Sequence, residues 1–402
     1  MGTADEPHRF ERVDWDDVDR RRRLVSAERV TLVVGGLLLV ALYLYDAYVA
    51  HVYTVGDWRA RPVDWVFLAA VVLLFAYGVV PAIRHREKVG RVGKRVVSRP
   101  VTLLAGVYLA VFAVVGFLGP VVFSNPGLQF QHAFHPPVGF SSQIAPVECL
   151  GETTEAATLD RRCHGSLSYP LGTNERGHPM GFLLAAGARV ALYVVVFTAV
   201  FVVPLAATVG VVAGVRGGLV DDLLMGYVDI QLSIPAIILY FIGYAYWNPS
   251  LLLLLVTFGL LSWGGIARLV RSEVLQRRED GYVLVARSLG ASEPYIAKRH
   301  ILPNVTNTLV PAVFHLFAML VLIEAGIAFL GFHELEVYSW GSTISESVNA
   351  AVPGHVQSRA DYPAYQIWWV STLPALALTL TMLSFKLVGD GVRDALDPRR
   401  RH

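Results

Sequence analysis

Eight apolar runs, each close to the roughly 20 residues that a helix needs to cross a bilayer core, dictate what this chain of 402 residues can become. They lie at about 30–50, 63–83, 101–123, 187–214, 223–246, 251–271, 305–331 and 366–388. With 54% hydrophobic and only 16% charged residues, one water-soluble core cannot hide so much apolar surface, and lipid must cover part of it. The expectation is an all-α integral membrane protein. The first run starts only near Val30, and Tyr48 poorly suits a position three before a cut at Ala50, so that run reads as a retained helix.

An even number of spans puts both termini on one side. Of the 34 Lys and Arg, 27 then fall on that side, 6 fall on the other, and Arg189 lies within a span. By the positive-inside rule the termini are cytoplasmic, and the predicted location is the plasma membrane. The two cysteines, Cys149 and Cys163, share a segment on the opposite, oxidising side. The reading there is a disulfide, the alternative two free thiols.

Residues 1–29 carry eight acids and seven arginines without a sustained apolar face, and read as a solvated cytoplasmic tail, Trp15 included. An accessory two-helix hairpin follows at 30–83. The basic linker at 84–100 is either an interfacial amphipathic element or a plain connection. The first core helix, 101–123, leads into an extracellular cap loop at 124–180, too long for a simple turn. The remaining core spans 181–392, with a polar cytoplasmic loop at 272–304, and 393–402 is a basic cytoplasmic tail. His132, His135 and His164 lack compact ligand spacing and are expected on the surface, with no metal site. Pro204 and Pro235 interrupt two helices, and Gly210, Gly214, Gly217 and Gly218 end one; close packing or bending explains such residues in lipid.

Lipid does not require the polar island Asp280–Asn304, because helical hairpins use far shorter connections. Tyr282–Leu289 can form a short helix with Gly290 as its left-handed stop. Ser292 offers an N-cap, Pro294 fits the following first turn, and Pro303 is expected to end the second helix. Two short helices then bend at Gly290, with Ala286, Ala291 and Ala297 as small contact points beside Arg287, Lys298 and Arg299.

This pattern resembles the EAA loop, the cytoplasmic segment by which ABC-transporter permeases dock on their ATPase subunits. Gly290 matches the family glycine and Leu302-Pro303 its terminal pair, whereas Leu284 and Val285 stand at the glutamate and first alanine, and Ala286 keeps the second alanine. A salt bridge from that glutamate is therefore not expected. The likeness covers residues 101–399 and narrows to the C-type permease subunit of the dipeptide, oligopeptide and nickel branch. Pro170-Leu171-Gly172-Thr173-Asn174 with Gly177 carries it, Asn174 replacing the usual aspartate, as do Gly187-Ala188-Arg189-Val190 and Asp229, Ser233 and Pro235. Further matches are Trp263, Arg268, Val270 and Arg271, Glu324-Ala325-Gly326 with Phe329-Leu330-Gly331, Ser339-Trp340-Gly341, and the closing stretch from Gly389 to Pro398. The resemblance implies a type I ABC-importer core of six transmembrane helices, here with two extra N-terminal ones. It implies an ATPase-coupling role for Leu284, Val285, Ala286, Arg287, Gly290, Ala291, Leu302 and Pro303. The implied partners are a second, B-type permease subunit, two ABC ATPases and an extracellular binding protein that delivers peptides, or alternatively nickel or oligosaccharides.

No G-x-x-x-x-G-K-[ST] phosphate loop occurs in the chain. The chain is therefore expected to bind no cofactor and to be no enzyme, with ATP and Mg held by the partner ATPases. H-E-x-x-H and G-x-S-x-G are also absent, and nothing supports nucleic-acid binding. A passive channel or membrane scaffold would have no use for a docking loop, and a proton-coupled carrier usually shows inverted repeats, of which none is visible. Within the spans, Glu324 reads either as a translocation-path residue or as a structural carboxylate. Asp229 reads as a packing partner or path residue, and Lys386 as a snorkelling anchor.

Overall fold

The computed structural model describes residues 26–50, 54, 59–122, 126–143, 148–154, 162–247, 249–334, 337–350 and 364–396. The tail over 1–25 and the basic end over 397–402, with their expected roles, lie outside the described residues. In chain order the helices are α1 (Ala27–Tyr48), α2 (Pro62–Arg84), α3 (Arg86–Val97), α4 (Pro100–Val122), α5 (Met180–Arg216), α6 (Gly218–Ser233), α7 (Ala236–Tyr246), α8 (Leu251–Arg277), α9 (Gly281–Ser288), α10 (Glu293–Phe329), α11 (Trp340–Ala350) and α12 (Tyr365–Leu396). Seven of these, α1, α2, α4, α5, α8, α10 and α12, are long and apolar enough to cross a membrane. The remaining apolar run, at 223–246, is not a straight span. It breaks into α6 and α7, bent by 68°, because Pro235 has no N–H to give and pushes Ile234 out of the helical region, to ψ 117.

Three of the long helices absorb a proline in the same way. Wide, π-type turns at Phe75–Val79, Thr198–Val202 and Ala297–Ile301 each end two residues before a proline, Pro81, Pro204 and Pro303. The carbonyl four residues before each proline, which its ring would otherwise crowd and leave unpaired, falls inside the widened turn. Pro303 therefore does not end the second island helix. That helix runs on without interruption as α10, 37 residues from Glu293 to Phe329.

Among the described residues the packing falls into three apolar clusters. The smallest, Phe134, Met180, Leu183, Ile367, Trp369 and Val370, ties the cap to α5 and α12; the two larger ones meet near Phe197. One, toward the end that carries the cysteines (the cap end), joins α2, α4, the first half of α5, α7, the first half of α8, α10 and Trp340 of α11. The other, toward the polar island (the loop end), joins the second half of α5, Val228 of α6, α8 from Trp263 to Val274, Val283 of α9 and the start of α10. Small residues permit the close approach: a Cβ at Gly210 would lie 2.5 Å from the Ala267 carbonyl oxygen, and one at Gly214 2.7 Å from Val274. At the cap end Gly187 lies against the Trp340 indole, whose Nε1 donates to the Leu184 carbonyl at 3.0 Å.

The basic linker is helical. Glycines and valines share one face of α3 and charges the other, and Arg95 donates to the Ala395 carbonyl (3.1 Å) while Arg99 pairs with Asp394 (2.5 Å). At the cap end Cys149 and Cys163 form a disulfide, and β1 (Ser141–Ser142) pairs antiparallel with β2 (Cys163–His164). His135, expected on the surface, is fully buried. It packs against the Tyr169 ring, and its backbone N–H donates to Thr173 Oγ1 at 2.8 Å. The cap folds inward around it, which residue spacing did not reveal. Its ring lies near both cysteine sulfurs, but the disulfide leaves no thiolate there to hold a metal.

Candidate functional site

Two regions gather the residues singled out by the sequence, one at each end of the helices. At the loop end, α8 closes on Arg277, and Asp280 caps α9 by accepting the Val283 N–H at 2.9 Å through its backbone carbonyl. The helix stops at Gly290, whose φ of +82° is the left-handed conformation that only glycine adopts without cost. The Ala291 N–H reaches back to the Ala286 carbonyl (3.1 Å) and the Gly290 N–H to that of Arg287 (3.0 Å), satisfying carbonyls that a helix end leaves bare. Ser292 has the extended backbone of an N-cap but makes no side-chain cap bond, and Pro294 lies in the next first turn. Arg287 bridges the bend to Glu293 at 3.4 Å.

Anchors hold this bend to the core. Val283, Ile296, Ile301 and Val305 are buried in the loop-end cluster, Thr308 donates to Glu273 at 2.9 Å, and Asn304 donates to the Tyr282 hydroxyl at 3.0 Å. Ala286 and Ala291, expected as small contact points, pack half-buried against that cluster. Once Val283 is buried, helical periodicity turns Ala286 inward with it. Leu284, Val285 and Leu289 point outward, 49%, 60% and 82% exposed, beside exposed Tyr295 and Leu302. Together these side chains form an exposed apolar ridge on an otherwise polar segment. Leu289 was missed by sequence reasoning, although a leucine just before a helix-stopping glycine in a polar island is a readable signal.

The intramembrane candidates separate. Asp229 is exposed and pairs with Arg268, on the face where α6 breaks into α7. One helical turn into α6, Asp221 holds Arg271 through two bonds of 2.5 Å. Glu324 is buried near the cap-end terminus of α10 and lines a small cavity with Tyr240, His333, Glu334 and Ser339. The structure does not bring Glu324 and Asp229 together on one surface.

At the cap end, the Pro170–Asn174 segment stitches the cap to the helices. The Thr173 carbonyl accepts from Trp369 Nε1 at 2.9 Å, and Asn174 Oδ1 accepts the His178 N–H at 2.8 Å. The other side of that amide, Asn174 Nδ2, donates to Glu346 of α11 at 2.7 Å, with Arg176 3.9 Å away. Burial pushes the Glu346 carboxyl up to about 6, against the Asn174 bond and the Arg176 charge, which both favour the ionised form. An aspartate at 174 would set two carboxylates face to face here. Burial likewise lowers the proton affinity of His178, helped by Arg176.

Residues 206–402 match the family described as binding-protein-dependent transport system inner membrane component. The dipeptide transport system permease protein DppC of Bacillus subtilis is 29% identical over 237 residues, 59% of this chain and 70% of that protein. The oligopeptide transport system permease protein OppC of Escherichia coli (strain K12) is 31% identical over 231 residues, 57% of this chain and 72% of that protein. Among solved structures, an inward-facing MetNI methionine ABC transporter chain aligns with a TM-score of 0.44 and 22% identity, over 55% of this chain and 99% of that one. On the sequence matches, with its bundle of membrane-spanning helices, the chain belongs to the binding-protein-dependent transport system inner membrane component family.

Proposed function

We propose that this chain is the C-type permease subunit of an ATP-driven importer of peptides, forming half of the translocation path beside a B-type permease. Its loop end faces the cytoplasm, where two ATPases carry ATP and Mg, and its cap end faces the binding protein outside. The observation that carries this reading is the exposed ridge Leu284, Val285 and Leu289 on a bend whose other face is bolted to the core. A passive channel or scaffold would gain nothing from such a ridge, and lipid has no reason to bend a polar segment around it. The names of the two permease relatives, dipeptide and oligopeptide, support peptide cargo over nickel or oligosaccharide.

ATP binding closes the ATPase pair and carries the ridge with it. Because α9 leads directly into α10 across one short bend, the displacement enters a continuous helix. From Glu293 to Glu324 that helix spans about 47 Å at 1.5 Å per residue, so a small shift at the ATPase becomes a tilt across the bilayer. The Glu273–Thr308 bond makes α8 follow α10. Broken backbone at membrane depth is tolerated where it lines a water-filled path or is covered by protein, which supports the Ser233–Pro235 break and the Asp229–Arg268 pair as path-lining. Burial of Glu324 supports a local structural role for that carboxylate.

Reconstitution of the chain with its cognate B-type permease, ATPases and binding protein tests the reading. ATP-dependent accumulation of labelled di- or oligopeptide in proteoliposomes is the expected result. No peptide accumulation, with nickel or an oligosaccharide taken up instead, would overturn the cargo; no ATP-dependent uptake of any of them would overturn the importer.

A further inference from the structure

The hairpin formed by α1 and α2 falls outside the family pattern, yet its α2 arm is fastened to the core by charge. Asp64, in the first turn of α2, is 5% exposed. Its Oδ2 accepts the Arg61 N–H at 2.9 Å and completes the helix cap. Its Oδ1 accepts from Arg189 Nη2 of α5 at 3.0 Å and from the Tyr193 hydroxyl. Arg189 Nε also donates to the Tyr193 oxygen at 2.7 Å, and Phe67 of α2 packs on the Tyr193 ring with centroids 4.3 Å apart. At the N-cap, immediately before the helix, Arg61 pairs with Glu334, just past α10, at 3.6 Å. The second oxygen of Glu334 accepts the N–H of Leu251, where α8 starts, at 3.4 Å.

A guanidinium nine residues into a membrane span is costly without a counter-charge, and Asp64 supplies it from outside the common core. The bonds also run to specific places: the first half of α5, the start of α8 and the end of α10. All three belong to the cap-end cluster. Between the clusters, α5 has its widened turn at Thr198–Val202, and α8 is interrupted at Trp263 between Ser262 and Gly264. Both helices thus have a deformable point at the same boundary.

We propose that the hairpin is a brace: Asp64 and Arg61 lock the cap-end halves of α5 and α8 to the end of α10 in one body, against which the loop-end body pivots at Thr198–Val202 and Trp263 while α10 tilts about that anchored end. Asp64 is a positioning residue for transport, acting through Arg189 and Tyr193. The transport consequence rests on the importer function proposed above; the locking does not.

The test uses the full chain assembled with its partners. Asp64→Asn, Arg189→Gln, the double variant and Asp64→Glu are compared for peptide transported per ATP hydrolysed, per assembled complex. Asp64→Asn is expected to lower that ratio at least fivefold while hydrolysis continues. Asp64→Glu should restore more than half of it, and the double variant should be no worse than Arg189→Gln alone, because the two groups act as a pair. An unchanged ratio in Asp64→Asn, or additive losses, would overturn the brace. If Asp64→Asn fails to assemble, Arg61→Gln, which cuts the Glu334 arm, should lower the ratio about twofold, and no change there also overturns it. Amide hydrogen exchange gives a reading independent of cargo and ATP: exchange over 186–193 should quicken at least tenfold in Asp64→Asn or, failing that, over 251–254 in Arg61→Gln, and unchanged exchange refutes the locking itself. Absence of transport in the unmodified assembly would count against the importer function and leave the exchange result standing.

Discussion

Replacing Leu289 by alanine separates docking from folding more cleanly than any other change in the island. The side chain is 82% exposed, so its loss opens no cavity and should leave the stability of the permease within about 0.5 kcal/mol. If the ATPase buries it, truncation removes three carbon groups from a buried contact. At about 0.8 kcal/mol each this is roughly 2 kcal/mol, or about a 30-fold weaker complex. Leu289→Asp should cost more, because a carboxylate would have to be desolvated in the groove. The assay is titration of ATPase dimers onto permease in lipid nanodiscs, with ATP-dependent uptake measured on the same preparations and the melting temperature as the folding control. ATPase affinity unchanged within twofold in both variants would refute the ridge as the docking surface. A loss of affinity matched by a loss of melting temperature would show that Leu289 supports the fold instead.

Other outcomes follow from the same geometry. Gly290→Val forces a β-branched residue to φ +82°, at about 1–2 kcal/mol; uptake should fall with normal membrane insertion, and Gly290→Asn should retain most of it. Because Glu346 binds its proton more tightly in the folded protein, at about 6 against an ordinary 4.5, its contribution to stability is present at low pH and is lost as pH rises from about 4.5 through 6. That loss is about 2 kcal/mol, so the melting temperature of Glu346→Gln in detergent should decline less over that window than the parent's. Replacing both Cys149 and Cys163 by alanine opens a loop of sequence separation 14. This should remove about 3 kcal/mol, seen as faster proteolysis of the cap with ATPase affinity unchanged.

Much of this fold was legible because lipid makes the code simple: long apolar runs must be helices, and Gly290 with Ser292 and Pro294 spelled out the bend. The errors share a physical cause. Pro303 and Pro235 carry the same local signal, yet α10 continues through one by widening a turn while α6 and α7 part by 68° at the other. The choice depends on neighbouring packing that no window of residues contains. His135 was assigned to the surface from type and spacing, but its burial is decided by a segment distant in sequence, the one that carries Thr173. Asp64 and Arg189 could not be paired from sequence, since 125 residues separate them.

The widened turn at Ala297–Ile301 also sets an angular phase. Each residue of an α-helix advances the chain by about 100°, so one residue more or fewer between Gly290 and Pro303 would swing the bend and its leucines about a quarter turn around the α10 axis. Deleting a residue there would keep every docking side chain in the sequence, yet aim the ridge at empty space. In such a permease the match to its ATPase is written in the count of residues as much as in their kind, and a subunit exchanged between transporters must agree in that count before its side chains matter.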